Sequence, residues 1–240
     1  MGEPQARVAI VTGGSRGIGR GVAEALLQEG WRVRFCSRTQ SSVDKAKSEL
    51  EARFGDRVAG RAVDVRNQEE VDRFVAGVLA AEGRIDCLVN NAGLGTFGPV
   101  DELTGEQWRE VIDTNLSGCF YFLRAVAPAM KRQGEGWIFN VSSLAGKNPF
   151  AGGAAYNASK FGLIGLSEAA MLDLRRHGVR VAAILPGSVE SGFSHPSGRQ
   201  QDQSWRLKPA DIAAMILHLL SYPPHALPSL VEMRPAKPPK

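Results

Sequence analysis

Cysteine is scarce in this chain: Cys36, Cys87 and Cys119 are the only three in 240 residues. They stand far apart, form no CxxC pair and make no metal-ligand cluster with the four histidines. That excludes a disulfide framework and argues against a metal centre. Small buried hydrophobes in a reducing compartment are the expectation. Long hydrophobic runs are missing too. The first apolar stretch, Val8-Ala9-Ile10-Val11, is too short for a signal-peptide core and runs straight into glycines, and no other stretch approaches a membrane span. A dense block of one charge is equally absent. The 29 Lys and Arg balance 25 Asp and Glu to a formal +4 spread along the chain, which leaves no footprint for nucleic acid. A cytoplasmic protein with neither membrane nor nucleic acid as partner is expected.

What is there is a regular alternation. Short β-branched runs at Arg7–Thr12, Arg32–Cys36, Arg57–Val63, Ile85–Val89, Trp137–Val141, Val179–Leu185 and Ser229–Met233 read as strands. Between them lie helical patterns: Ile18, Val22, Ala25 and Leu26; Ser41–Phe54; and Val71, Phe74, Val75, Val78 and Leu79. A long helix from Trp108 to about Met130, another over Ala155–Arg175 and a last one marked by Ile212, Met215, Ile216, Leu219 and Leu220 complete the pattern. Strands alternating with helices predict an α/β fold. Its core is one doubly wound, Rossmann-like parallel sheet of about seven strands with helices on both faces. No linker or repeat divides the chain, so residues 1–240 are read as one domain, with residues 235–240 as a loose tail.

Thr12-Gly13-Gly14-Ser15-Arg16-Gly17-Ile18-Gly19 joins the first strand to the first helix. Glycines there let the turn close and let a pyrophosphate approach the backbone, while the helix start offers free N–H groups. The spacing is G-x-x-x-G-x-G, not the commoner G-x-G-x-x-G of dinucleotide folds. An acid at the end of the second strand would bind the ribose 2′-hydroxyl of NAD. Here Ser37-Arg38-Thr39 stands instead. Arg38, with Arg16 in the loop, suits a 2′-phosphate, so NADP (NADPH) is the expected cofactor.

Tyr156 and Lys160 are four apart and share one face of a helix. A free tyrosine titrates near ~10, too high for an efficient acid at neutral pH, and a nearby ammonium lowers that value. The pair alone is a common surface pattern. Its neighbours change the reading: Asn140-Val141-Ser142-Ser143, Asn90-Asn91-Ala92-Gly93 and Pro186-Gly187 all end strands at one sheet edge, where such sheets bind ligands.

On these motifs, together with Asp64 and Asn115, the chain resembles the short-chain dehydrogenase/reductase family over essentially its whole length. The resemblance implies an NADP(H)-dependent oxidoreductase acting on a small-molecule carbonyl or secondary alcohol. Tyr156 would be the general acid or base, and Lys160 would lower its pKa and hold the nicotinamide ribose. Ser143 would polarise the carbonyl, chosen over Ser142 by its spacing to Tyr156. Asn115 would hold a relay water, or alternatively only shape its helix. Around the cofactor it implies Gly13, Ser15, Arg16, Gly17, Ile18, Gly19, Ser37, Arg38, Asp64, Val65, Asn91, Ala92 and Gly93. The same holds for Tyr156, Lys160, Pro186, Gly187, Val189 and Ser191. No metal is implied. Asp64 has a plainer alternative as the cap of the following turn.

The chain departs from the family at Ser191, where a threonine is usual, and at a short polar stretch, Gly192–Trp205, where relatives carry a longer lid. An open substrate pocket follows from that. A 3-oxoacyl thioester (acyl-carrier-protein) reductase is the alternative, with Lys131, Arg132, Arg175 and Arg176 as the basic residues for an acidic carrier. A non-catalytic dinucleotide-binding protein is a further alternative. The family also implies a homodimer or homotetramer, with Leu163, Leu166, Ala169 and Ala170 as compatible surface.

Overall fold

Short strands made of Val, Ile, Ala and Phe can be satisfied only where both faces are covered, and these strands are covered. A computed structural model describes residues 6–190 and 204–238. The first half runs β1 (Val8–Thr12), α1 (Gly17–Gln28), β2 (Arg32–Ser37), α2 (Gln40–Phe54), β3 (Val58–Ala62), α3 (Gln68–Glu82) and β4 (Cys87–Asn90). The second half runs α4 (Gly105–Ile112), α5 (Gly118–Gln133), β5 (Gly136–Val141), α6 (Ala154–Leu174), β6 (Val179–Pro186), α7 (Pro209–Leu220) and β7 (Leu230–Met233). Among the described residues, seven parallel strands form one sheet in the order β3-β2-β1-β4-β5-β6-β7. The order reverses between β1 and β4, so a crevice opens there at the strands' carboxyl ends.

Two apolar layers flank the sheet. On one face Val22, Leu26, Val43, Leu50, Ile212 and Ile216 pack from α1, α2 and α7. On the other, Val71, Phe74, Phe122, Val126, Ala170 and Leu174 pack from α3, α5 and α6. Each fully buried large side chain contributes roughly 1.5–3 kcal/mol of burial, which fixes the strand ends that carry the site. Cys36, Cys87 and Cys119 are all buried and free. Burial pushes the Cys36 thiol up to about 12 and that of Cys119 to about 11, so neither is a reactive thiolate.

Three expectations change. The single helix expected from Trp108 to Met130 is interrupted by a π-turn at Asp113–Ser117, between α4 and α5. A π-turn admits one extra residue per turn and shifts the register of α5 relative to α4, a local feature that a helical pattern alone does not reveal. Leu163 and Ala170 face the core instead of an outer surface, because their turn of α6 points at the sheet. Ala169 is exposed and Leu166 half-buried as expected, and the large apolar residues α6 exposes are Phe161 and Leu172. The tail is not wholly loose either: a Cβ on Gly187 would come within 2.8 Å of Pro235 Cδ, so the start of the tail packs on the end of β6.

Candidate active site

The crevice is a cleft of about 930 Å³. Its shape begins with Thr12, the last residue of β1. The Thr12 hydroxyl accepts from Asn91 N and Ala92 N, both at 2.9 Å, and Asn91 Nδ2 returns a bond of 2.9 Å to the Thr12 carbonyl. The ends of β1 and β4 are thereby locked side by side. Gly13 and Gly17 then take φ of +65° and +57°, which side chains resist. Gly19 does not line the cleft. A Cβ there would stand 2.5 Å from Asn91 Nδ2, so it is glycine to let α1 pack against β4.

The residues present fit a dinucleotide. The N-cap of α1 is Arg16, which makes no side-chain cap, and the first turn carries no acid. Its leading N–H groups therefore suit a pyrophosphate, which would supply both acceptors and negative charge. Gly13, Ser15, Arg16, Gly17 and Ile18 line this end of the cleft. Ser37 closes onto it, its hydroxyl donating to Ser15 Oγ at 2.9 Å. Arg38 is exposed beside it and reaches Glu110 Oε1 of α4 at 3.2 Å.

Asp64 and Val65 line the same cleft. Asp64 does cap its turn, accepting from Arg66 N at 3.0 Å, and its carboxylate is also gripped by the Arg66 guanidinium. The guanidinium holds the Asp64 carboxyl below its usual range. Arg66, which the sequence reading passed over, also reaches Glu110 at 3.5 Å and lines the cleft.

The other end carries the candidate proton-transfer groups. Ser142 and Ser143 part ways after β5. Ser142 is buried and donates to the Lys160 carbonyl at 2.9 Å. Ser143 accepts from Ala145 N at 3.1 Å and lines the cleft together with Tyr156. Lys160 is 5% exposed, donates from Nζ to the Val141 carbonyl at 2.9 Å, and keeps its ammonium 5.7 Å from the Tyr156 ring centre. Burial brings Lys160 down to about 8. The tyrosine differs from expectation. Burial pushes the phenol up, and the contact opposing that is the Ser143 hydrogen bond, not the ammonium.

Asn115 lies in the π-turn, fully buried just behind the cleft. Its Oδ1 accepts from Leu94 N at 2.8 Å; its Nδ2 donates to the Leu94 carbonyl at 2.8 Å and to Ser159 Oγ at 3.0 Å. Ser159 in turn donates to the Tyr156 carbonyl at 2.8 Å. Asn91, Ala92, Gly93, Pro186, Gly187 and Val189 line the cleft between the two ends, while Ser191 lies outside the described residues with Gly192–Gln203. Three apolar residues the sequence reading did not name, Leu94, Phe97 and Phe150, also line it, as does Trp205 at the end of the short polar stretch.

A model of the short chain dehydrogenase family matches residues 7–202. The chain belongs to that family. This dehydrogenase is 33% identical over 238 residues to an NADP-dependent 3-hydroxy acid dehydrogenase of Salmonella typhi, covering 95% of this chain and 94% of that one. It superposes with a TM-score of 0.84 and 40% identity on a metagenomic short-chain oxidoreductase solved with NADP, covering 96% and 98% of the two chains. A variant of actinorhodin polyketide ketoreductase solved with NADPH gives a TM-score of 0.89 at 32% identity, with 98% of each chain covered. The dehydrogenase is thus an NADP(H) oxidoreductase acting between CH–OH and C=O. Among its described residues, no helix is long and apolar enough to cross a membrane.

Proposed function

We propose that this dehydrogenase interconverts a small-molecule carbonyl and its secondary alcohol at Ser143 and Tyr156, with Tyr156 as acid in reduction and base in the reverse. The observation that carries this is that Ser143 and Tyr156 line one cleft beside a buried Lys160, whose ammonium lies 5.7 Å from the Tyr156 ring centre. Bound NADPH supplies the hydride. The Ser143 and Tyr156 hydroxyls both donate to the carbonyl oxygen, so negative charge growing there meets two donors already in place. A phenol raised by burial keeps its proton until the oxygen becomes basic enough to take it. The Lys160 ammonium then stabilises the phenolate left behind, with little water to screen it. Asn115 acts as a positioning residue through Leu94 and Ser159. Both of its amide protons are spent, so a relay water would have to be held by an oxygen of Asn115. Arg16 and Arg38 take the 2′-phosphate, and Ser191 keeps a hydroxyl near the carboxamide.

A 3-oxoacyl thioester reductase is the second reading, favoured by the likeness to the polyketide ketoreductase. Against it, Lys131 and Arg132 end α5, and Arg175 and Arg176 follow α6, at the amino edge of the sheet, where Gly134 and Gly178 meet. The cleft opens at the carboxyl edge. Comparing kcat/KM for a short acetoacetyl thioester and for free ketones separates the two. A homodimer or homotetramer is supported by Trp108, Phe120, Phe161 and Leu172, large apolar side chains exposed on α4, α5 and α6. Sedimentation as a monomer at micromolar concentration would refute it. NADPH-dependent ketone reduction by the Tyr156→Phe variant tests the main reading.

A further inference from the structure

We infer that the substrate of this cleft carries its carbonyl on or beside an uncharged, flat ring, seated against Phe97 and Phe150; the inference rests on the proposed chemistry at Tyr156. Phe97 follows β4 and Phe150 precedes α6, and both rings line the cleft. Phe97 meets the Tyr156 ring at 5.7 Å between centres, edge to face, and Phe150 lies 6.4 Å from Tyr156 and 5.8 Å from Phe97.

The two rings are fixed by backbone. Gly98 N donates to the Gly152 carbonyl at 2.9 Å, which ties the two loops together. Asn157 Nδ2 holds the Phe150 carbonyl at 2.9 Å. Gly153 has no side chain, and a Cβ there would meet Phe150 Cε2 at 2.6 Å. A wall set before binding loses little freedom when a ring packs on it. Leu94 and Leu144 line the same cleft and extend its apolar wall, with Ser143 and Asn148 as polar neighbours. A polyhydroxylated substrate would give up its water there with few partners in exchange. Aromatic contact beyond simple burial corresponds to roughly a threefold to tenfold gain in binding.

The test uses the full-length protein with saturating NADPH and three carbonyls: acetophenone, the open-chain 2-octanone with the same number of carbons, and fructose as a polyhydroxylated ketone. The expected order in kcat/KM is acetophenone, then 2-octanone, then fructose. Phe97→Leu and Phe150→Leu keep bulk but lose the ring; each should cut the acetophenone to 2-octanone ratio by roughly threefold or more, mainly through KM. NADPH titration of each variant shows that it folds. Equal or better turnover of 2-octanone or fructose by the parent enzyme would overturn the inference while leaving the Tyr156 chemistry standing. A ratio unchanged in the variants would overturn it as well, making the rings mere support for Tyr156. Turnover of none of the three would overturn the Tyr156 reading and this one with it.

Discussion

Lys160 Nζ gives a hydrogen bond of 2.9 Å to the Val141 carbonyl, inside the protein and facing the Tyr156 ring. A cation held there costs stability. The folded pKa is depressed from 10.5 to about 8, so the penalty is complete below about pH 8. Between about 8 and 10.5 the unfolded chain binds more protons than the folded one, and stability relative to neutral pH rises with pH. Lys160→Met should therefore abolish turnover yet melt higher than the parent near neutral pH. The gain is up to about 3 kcal/mol at ~1.4 kcal/mol per pKa unit, less the cost of orphaning the Val141 carbonyl. The gap should narrow as pH rises through that window. Thermal melts of both proteins across pH check this; a variant less stable than the parent at neutral pH contradicts it.

On the proposed mechanism the same group should set the alkaline limb of activity. The quantity kcat/KM for NADPH reports the free enzyme. It should fall as Lys160 loses its proton, with an apparent pKa of about 8. Lys160→Arg, whose guanidinium stays charged to high pH, should lose that limb. A rate flat to about pH 10 would separate Lys160 from the proton chemistry.

Arg38 and Arg66 share one oxygen of Glu110. Arg38→Ala should weaken NADPH by roughly tenfold to a hundredfold, the worth of a charge-assisted contact, and leave NADH unchanged. Glu110→Gln should tighten NADPH by up to about fivefold, because the competing partner of an exposed arginine loses its charge. Fluorescence titration with both cofactors reads this directly. Equal losses for NADH and NADPH in Arg38→Ala would remove Arg38 from the 2′-phosphate site.

Thr12→Val keeps shape and deletes the oxygen that receives Asn91 N and Ala92 N. Two amides at the junction of β1 and β4 lose their partner. Stability should fall by ~1–3 kcal/mol, with weaker binding of both cofactors alike. Urea unfolding and cofactor titration measure the two effects, and a neutral substitution would show that the junction is held elsewhere.

Much of this was legible in the sequence because it was local. The strand and helix periods, the glycine loop and the four-residue step from Tyr156 to Lys160 are short-range patterns. The family resemblance implied Ser143 over Ser142, and the structure turns Ser142 to the Lys160 carbonyl while Ser143 lines the cleft with Tyr156. What escaped was long-range. Nothing near Asn115 in the chain announces that its amide will tie to Leu94 and Ser159 and sit in a π-turn. The meeting of Phe97 with Phe150 joins loops 53 residues apart. The position of Lys131, Arg132, Arg175 and Arg176 at the far edge depends on strand direction, which charge counting does not see. The tyrosine's pKa went the other way from expectation because burial outweighs the opposing influence of Ser143, and the Lys160 ammonium does not counter it.

The most direct test of the account is single-turnover oxidation of bound NADPH by the Tyr156→Phe variant in the presence of a ketone the parent reduces. Titration beforehand establishes that the variant still binds NADPH. The account predicts near-parental binding with ketone reduction slowed by roughly a hundredfold or more, the usual worth of a positioned acid. Reduction at the parental rate by a variant that binds NADPH normally would contradict it.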